Sequence, residues 1–582
     1  MTDDIRTPLG RVSAPPDQES TTGEFYFWIH RDQVVERTQI VKTQSTIGTR
    51  QVSFIAVVQD VYRRSRQKDV SEESDRYDGG RGSHPPFDSE GVTYAKASVL
   101  RTDPVAYTPP TEECEVYLAS AKEASQGYGV DRVENPLDVG LLKNGGTEYA
   151  GKATLDLDYL LGENGGHMNV NGIAGLGAKS SFLLHVLWML LREADRQKLS
   201  APSDKNRLQI SPIVFNVKNY DLFFIDQWNK KFREKEVENL DCWNKLGVEN
   251  PGPFRAVKFL APQEKDKTTP ANVGRADGAV KPYSWSLSEV IEQGLFKFLF
   301  ADDAVYEPNF DGLVDELAEW MTLETPDGPK LRSAADVPKT FQELLTDFKS
   351  LTPIETSDYV KATRGKVHRH LKFILRQGGG VLRLNDHHGH PIKLTNGEQA
   401  GPTVIDLFSL RMTPGLQRFV VAAVFHQLVR VRSEDPTPGL RFVVMLDELN
   451  RFAPRSSSDP ITQIIETVAS EMRSQGVILL GAQQQASLVA QRVIANCAVK
   501  AIGRSDTMEL GSDVWKALER SARSTAAQLQ ADEKLLVQPN FREPMLAKIP
   551  FPPFALKKEH AAGTGSIAAP KQAWEDSVEA DF

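Results

Sequence analysis

Short apolar runs alternate with longer amphipathic stretches over most of the chain after residue 150. Residues 180–198 (SSFLLHVLWMLLREADRQK) and 460–476 (PITQIIETVASEMRSQG) repeat their apolar positions with helical spacing. The apolar runs are rich in β-branched residues, as buried strands are. They lie at 167–174, 213–218, 403–410, 442–449, 477–483 and 498–504. Strands that alternate with helices predict an α/β fold built on a parallel sheet.

The first 150 residues have a different pattern, in which aromatic and β-branched residues cluster between Gly and Pro. Three strand candidates lie at 24–29 (EFYFWI), 51–58 (QVSFIAVV) and 114–120 (CEVYLAS). They predict an N-terminal β-barrel over residues 1–150. Residues 63–86 are charged and contain Gly and Pro, which predicts a long surface loop or a disordered excursion.

These patterns divide the chain into five segments. We predict the α/β core in two parts, at 151–284 and 376–555. Residues 285–375 between them are more helical and charged and contain no apolar run of this type, which predicts a helical insertion. Residues 556–582 contain few large apolar side chains and predict a flexible C-terminal tail.

Composition and charge limit the classes of function. Of the 582 residues, 40% are hydrophobic and 25% are charged, which excludes a wholly disordered or fibrous protein. The net charge of −9 excludes a globally basic nucleic-acid binder but permits a local basic channel. The start MTDDIRTPLG is no secretory signal, and the longest apolar runs fall short of the ~20 residues of a membrane span. We therefore expect a soluble, cytoplasmic protein without a membrane partner.

A glycine-rich turn between a predicted strand and a predicted helix is the first candidate for chemistry. In a phosphate loop, backbone N–H groups hold phosphate oxygens, a lysine adds positive charge and a hydroxyl binds Mg²⁺. The candidate residues are Gly172, Gly175, Gly177, Lys179, Ser180 and Ser181. Ala178 departs from the regular pattern G-x-x-x-x-G-K-[ST], because it separates Gly177 from Lys179. The alternative interpretation is a glycine-rich turn with a solvated lysine.

Two adjacent carboxylates, Asp447 and Glu448, end the apolar run FVVMLDEL. In a phosphate-loop ATPase the first acid holds Mg²⁺ together with the loop hydroxyl of Ser180, and the second orients or deprotonates the attacking water. The alternative is an ordinary strand end with surface acids. The two motifs, in this order within one α/β pattern, favour an ATPase that uses ATP and Mg²⁺.

Two further side chains are candidates for the same site. Gln483 ends the run VILLGAQ, where it could sense the γ-phosphate or position water, and a capped turn is the alternative. Arg473 precedes that run and could reach the ATP of a neighbouring subunit as an arginine finger. Arg504 is a second candidate for this role, and for both arginines a solvated surface position is the alternative. The histidines of DHHGH (386–390) favour a solvated loop over a metal site.

The ordered motifs resemble the HerA branch of the HerA/FtsK family of ring ATPases. The resemblance covers most of residues 1–555 and includes the N-terminal β-rich stretch, the loop around Lys179, the Arg473 segment, IVFNVKNYDLFFID (213–226), LDELNRFAP (446–454), GAQQ (481–484), IANCAVKAIGR (494–504) and NFREPMLAKIPFPPF (540–554). The variant loop with Ala178 resembles those of HerA-like proteins in bacterial anti-phage defence.

The resemblance implies a RecA-like core in a homo-hexameric ring, with ATP at the subunit interfaces and DNA in a central channel. It implies a nuclease or a sirtuin-like NADase as an effector bound at the N-terminal barrel face. Carried over by position, Lys179 and Ser180 bind phosphate and Mg²⁺, Asp447 holds Mg²⁺, Glu448 is the catalytic base, Gln483 is the sensor and Arg473 is the finger.

Two hypotheses follow from the resemblance. The first is an ATP-driven DNA translocase or helicase that works with an effector in anti-phage defence or DNA end processing. The second is an ATP-binding ring scaffold that assembles and activates an effector with little turnover. Ala178 favours the scaffold, whereas the intact Asp447, Glu448 and Arg473 favour the motor. A conjugation-type pump is a third hypothesis, against which the lack of a membrane segment counts.

Overall fold

The computed structural model describes residues 6–65, 91–173, 178–301, 308–326, 328–356, 358–434, 437–457 and 459–562. The chain divides into two compact units. The first unit comprises Met1–Lys179, Gln484–Ser487 and Cys497–Pro550. The second comprises Ser180–Gln483, Leu488–Asn496 and Phe551–Phe582.

A closed six-stranded barrel begins the first unit. Its strands are β1 (Gly10–Val12), β2 (Glu24–Ile29), β3 (Ile40–Ile47), β4 (Arg50–Ser65), β5 (Gly91–Asp103) and β6 (Glu115–Leu118). They pair antiparallel in the order β1-β2-β5-β4-β3-β6, and β6 returns to β1. Apolar side chains such as Phe25, Phe27 and Phe54 fill the interior. The predicted barrel is confirmed. Most of the loop predicted at 63–86 lies outside the described residues.

A mixed sheet completes the first unit. Its strands are β7 (Pro136–Lys143), β8 (Tyr149–Asp156), β9 (Met168–Asn171), β18 (Val499–Ile502), β19 (Glu533–Val537) and β20 (Met545–Lys548). They lie in the order β9-β18-β19-β20-β7-β8. Only β9 and β18 are parallel, and the other neighbours are antiparallel. The helices are α1 (Ala121–Gly127), α2 (Leu157–Leu160), α15 (Thr507–Leu510) and α16 (Arg520–Gln528).

The second unit is built on a six-stranded parallel sheet. Its strands are β10 (Gln209–Asn216), β11 (Lys258–Pro262), β12 (Val280–Tyr283), β15 (Thr403–Asp406), β16 (Leu440–Asp447) and β17 (Val477–Gln483), in the order β12-β11-β15-β10-β16-β17. Every neighbouring pair is parallel. Nearly every residue of β10, β15, β16 and β17 is buried, as expected for strands covered on both faces. The predicted α/β fold is confirmed.

Helices connect these strands and carry the remaining core. They are α3 (Ala178–Ser200), α4 (Lys230–Glu234), α5 (Glu236–Lys245), α6 (Leu287–Glu292), α7 (Pro308–Met321), α8 (Phe341–Thr346), α9 (Thr352–Thr356), α10 (Lys361–Gln377), α11 (Pro414–Glu434), α12 (Leu449–Phe452), α13 (Pro460–Ser470) and α14 (Gln491–Asn496). α3 starts with the last residues of the first unit. No helix of the described residues has the length and apolar character needed to cross a bilayer.

The segment predicted as a helical insertion, 285–375, also contains a short hairpin. Strands β13 (Thr322–Thr325) and β14 (Gly328–Leu331) pair antiparallel within it. Their residues are half-buried or exposed, so they have no apolar run by which the sequence pattern could reveal them. The boundaries of the five predicted segments stay predictions.

The start of the predicted flexible tail is anchored to the second unit. The N–H of Ala562 donates to the carbonyl oxygen of Trp228 at 2.9 Å, and Lys230 Nζ donates to the carbonyl oxygen of Glu559 at 3.3 Å. Residues 556–562 are therefore not free of the fold, which the low apolar content of the tail did not reveal. Residues 563–582 lie outside the described part of the chain.

Candidate nucleotide-binding site

Polar side chains end four neighbouring strands of the parallel sheet. Asn216, Asp406, Asp447 and Gln483 are the last residues of β10, β15, β16 and β17, and all four are buried. The strand register places Asn216 beside Asp406, and Asp447 beside Ala482. Ligands of open α/β sheets bind at the carboxyl ends of the strands. This edge is therefore the candidate site.

Ser180 and Asp447 meet at this edge. The Ser180 hydroxyl, in the first turn of α3, donates to Asp447 Oδ2 at 2.7 Å. The backbone N–H of Glu448 donates to the other carboxylate oxygen, Oδ1, at 2.8 Å. The backbone N–H of the next residue thus orients the Asp447 carboxylate, so that Oδ2 faces the Ser180 hydroxyl. A hydroxyl beside a carboxylate is an all-oxygen donor set of the kind that Mg²⁺ prefers.

Glu448 has a left-handed backbone conformation, with φ 57° and ψ 44°. This conformation costs a residue with a side chain about 1 kcal/mol, and such positions cluster at functional sites. The turn separates β16 from α12 and directs the glutamate towards Lys218. Lys218 Nζ forms an ion pair with Glu448 Oε1.

Lys218 is a site residue that the sequence analysis missed. Its Nζ also lies 3.6 Å from Asp447 Oδ2. Burial lowers the pKa of Lys218, but the two carboxylates outweigh burial and raise that pKa above its ordinary value. The only signal in the sequence is a lysine two residues beyond a buried strand, where lysines are ordinarily solvated.

Lys179 and Gly172 lie together in the first unit. Lys179 is 6% exposed, and its Nζ donates to the carbonyl oxygens of Gly172 at 3.0 Å and Ile173 at 3.2 Å. The alternative of a solvated lysine is therefore wrong. Gly172 packs closely, since a Cβ there would meet the carbonyl oxygen of Arg504 at 3.3 Å. Gly175 and Gly177 lie outside the described residues, and Ser181 is half-buried on α3.

Gln483 and the two candidate arginines occupy different places. Gln483 is buried, and it follows Ala482, which the register of β16 with β17 pairs with Asp447. Arg473 is exposed in the turn before β17, at the opposite end of the sheet. The five residue steps from Phe442 to Asp447 span roughly 17 Å along the strand, so Arg473 does not join the acids of its own chain. Arg504 is exposed beyond the end of β18.

No family model matches the chain, and no curated protein matches it. Among solved structures, VirB4 of Thermoanaerobacter pseudethanolicus is similar with a TM-score of 0.42 and 15% identity, over 72% of this chain and 98% of that one. The plasmid coupling protein TrwB in complex with a non-hydrolysable GTP analogue has a TM-score of 0.43 and 12% identity, over 77% of this chain and 96% of that one. These similarities are too distant to assign a family to this chain.

Asp406 adds a titratable group to the same edge. Burial raises its pKa to about 6, although hydrogen bonds from Ser409, Asn216 and the Phe408 N–H oppose that rise. Asn216 Nδ2 donates to Asp406 Oδ1 at 3.3 Å. Near neutral pH this carboxyl group is therefore close to its own titration range.

Two other features stay outside the site. His387, His388 and His390 are all exposed, as a solvated loop predicts. In the ranges that the structure describes, no group of three or more His, Cys, Asp or Glu side chains is arranged to hold a metal ion. Cys497 is buried, and burial raises the pKa of its thiol to about 12, so it is protonated and inert at neutral pH.

Proposed function

We propose that the chain is a phosphate-loop ATPase with a RecA-like core, which binds ATP and Mg²⁺ at the carboxyl edge of its parallel sheet. The observation that carries this proposal is the 2.7 Å hydrogen bond between Ser180 and Asp447, two residues 267 positions apart. Each comes from a motif that the sequence assigns to nucleotide chemistry, and together they fit the donor set of a hydrated Mg²⁺ ion.

Each side chain then has one task. Lys179 would leave the carbonyl oxygens of Gly172 and Ile173 and bind phosphate oxygens instead. Ser180 and Asp447 would hold Mg²⁺. Mg²⁺, when bound, neutralises charge on the β- and γ-phosphates. Glu448 would orient the attacking water and accept its proton, and Gln483 would contact the γ-phosphate side from the neighbouring strand.

We further propose a homo-hexameric DNA translocase or helicase. The resemblance to HerA-type ATPases supports a ring with DNA in its channel and with a nuclease or sirtuin-like NADase on the barrel face, in anti-phage defence or DNA end processing. The exposed position of Arg473, remote from the acids of its own chain, supports a role as a finger towards the site of a neighbouring subunit.

A ring scaffold with little turnover is the second candidate. The observation in its favour is the ion pair between Lys218 and Glu448, which engages the carboxylate that hydrolysis requires. In this case the ring would bind ATP and activate its effector while hydrolysing slowly.

The test is ATP hydrolysis and binding of a fluorescent ATP analogue by the purified protein, with and without duplex DNA. We compare Lys179→Ala, Ser180→Ala and Glu448→Gln with the control Ser470→Ala, whose hydroxyl donates to a carbonyl oxygen of its own helix. A motor hydrolyses ATP faster with DNA and loses at least about 100-fold in Glu448→Gln. Binding without turnover favours the scaffold. No binding at any Mg²⁺ concentration would contradict the proposed site.

A further inference from the structure

One ion pair at the carboxyl edge of the parallel sheet involves Lys218, to which the proposed ATPase mechanism assigns no role. Lys218 Nζ contacts Glu448 Oε1 and lies 3.6 Å from Asp447 Oδ2. The side chains of Asp447 and Glu448 are 7% and 13% exposed, whereas that of Lys218 is 42% exposed. The ammonium group therefore covers two largely buried carboxylates from the more open side.

Both partners of this ion pair stand on constrained backbone. Asn216 Nδ2 donates to the carbonyl oxygen of Asn219 at 2.8 Å, and Asn216 Oδ1 accepts from the N–H of Leu222 at 3.3 Å. These bonds fix the turn that carries Lys218. On the other strand, the left-handed conformation of Glu448 fixes the direction of the acid. The backbone of both turns is therefore fixed, and this distinguishes the Lys218–Glu448 ion pair from a contact between two flexible side chains on the surface.

The ammonium group and a metal ion need the same carboxylate oxygen. Asp447 Oδ2 accepts the Ser180 hydroxyl at 2.7 Å, and it is also the Asp447 oxygen that faces Lys218. A hydrated Mg²⁺ ion held by Ser180 and Asp447 would stand beside the ammonium group. Two cations at one pair of acids repel each other, so each lowers the occupancy of the other.

We infer that Lys218 is a positioning residue that holds Glu448 in an ion pair in the nucleotide-free site and releases it when Mg²⁺ and nucleotide bind. The inference rests on the proposed function. Binding of Mg²⁺ and nucleotide would then also activate the site, because Glu448 can act as the base only after Mg²⁺ has displaced Lys218. Its direct consequence is that the lysine raises the Mg²⁺ concentration needed for nucleotide binding.

The test is a Mg²⁺ titration of the binding of a fluorescent ATP analogue. Lys218→Met keeps the apolar stem and removes the charge, and Lys218→Arg keeps the charge. The matched control is Lys235→Ala, whose lysine lies 3.6 Å from Glu238 with side chains 70% and 76% exposed. We expect Lys218→Met to lower the Mg²⁺ concentration at half-saturation about threefold to tenfold, and the other two variants to stay within about twofold of the wild type.

A second comparison asks whether Lys218 acts through Glu448. In a Glu448→Gln background the ion pair is already lost, so Lys218→Met should shift the titration by less than half as much. An equal shift in both backgrounds overturns the inference, as does an unchanged or raised half-saturation in Lys218→Met alone. Lys218→Gln repeats the measurement if the methionine variant has a lowered unfolding temperature.

Failure of this inference is distinguishable from failure of the proposed function. If the wild-type protein binds the analogue and Lys218→Met titrates like it, only the role of Lys218 is wrong. If the wild-type protein binds no analogue at any Mg²⁺ concentration, the ATPase proposal is wrong, and the role of Lys218 is wrong with it.

Discussion

At the scale of single residues, the buried polar groups at the strand ends form the candidate site but lower the stability of the fold. Asp406 is fully buried, and its hydrogen-bond partners are neutral, namely the side chains of Asn216 and Ser409 and the backbone N–H groups of Phe408 and Ser409. A carboxylate in such a place is less well solvated than in water, which is the physical cause of its raised pKa. Its charge at neutral pH therefore reduces the stability of the fold.

Asp406→Asn tests this cost through its pH dependence. The pKa of about 6 in the folded protein lies above the ordinary value of 3.8, so the folded state holds the proton more tightly. The contribution of Asp406 to the free energy of unfolding is full below about pH 4. It falls as the pH rises from about 4 to 6, and it stays low above pH 6. Relative to wild type, Asp406→Asn should gain about 1 kcal/mol in unfolding free energy between pH 5 and pH 8.

Urea denaturation of both proteins at the two pH values measures this difference, and other titrating groups cancel in the comparison. The control is Ser470→Ala, which removes a hydroxyl that donates to the carbonyl oxygen of Glu466 within the same helix. It carries no titratable group, so its difference from wild type should be the same at both pH values. A constant difference between wild type and Asp406→Asn would mean that Asp406 titrates normally.

The candidate site could be predicted from sequence only where a motif fixes both residue type and spacing. Ser180 and Asp447 belong to such motifs, and the fold brings them into contact. Lys218 and Asp406 do not, because a single lysine just after a strand or a single aspartate at a strand end is common and carries no specific signal. Their positions depend on strand order, which places β10 between β15 and β16 and which no local pattern encodes.

At the scale of elements, the segment from Phe551 to Ala562 is held by one buried ring and several backbone bonds. Phe554 is fully buried, and its ring lies 5.0 Å from that of Phe254. Trp243 Nε1 donates to the carbonyl oxygen of Phe551 at 2.9 Å. Phe551 itself is 39% exposed. The chain offers two phenylalanines, three residues apart, in opposite environments.

Phe554→Ala should lower the free energy of unfolding by about 3–5 kcal/mol, because it removes a buried ring and leaves a cavity. Phe551→Ala should cost less than about 1 kcal/mol, since its carbonyl oxygen remains for Trp243. Urea unfolding followed by tryptophan fluorescence measures both. Equal losses in the two variants would show that the segment is not anchored by the Phe554 ring.

The same scale shows which elements a sequence pattern can reveal. The run VILLGAQ became β17 with its predicted bounds, because every one of its residues is buried. The hairpin of β13 and β14 has no buried residue, so no apolar signal marks it. A strand that is buried on both faces has a continuous apolar run that the sequence reveals. A strand that is stabilised mainly by pairing with its neighbour has no such run and cannot be recognised in this way.

At the scale of the whole molecule, the proposed ring makes a prediction about mixed assemblies. If Arg473 acts on the site of a neighbouring subunit, each ATP site takes its base from one chain and its arginine from another. Arg473→Ala and Glu448→Gln should each lose hydrolysis when alone. Mixed, they should regain a measurable fraction, because some interfaces then combine an intact Glu448 with an intact Arg473.

Lys179→Ala mixed with Glu448→Gln is the control, since both changes affect the same side of each site and no mixed interface is complete. Hydrolysis is measured after the subunits are exchanged, and assembly is checked by analytical ultracentrifugation. Equal recovery in both mixtures, or none in either, would contradict a finger that acts between subunits.

The closed barrel between Gly10 and Leu118 also has a consequence for how the chain folds during synthesis. All its strand pairs join residues within this short span, whereas the parallel sheet joins strands that begin at Gln209 and end at Gln483. Contacts that are near in sequence form faster than distant ones. At ~5–20 residues per second, the ribosome needs roughly half a minute on average to travel from residue 118 to residue 483. The barrel can therefore be complete while the sheet is still without its last strand, and a partner that recognises it can bind a nascent chain.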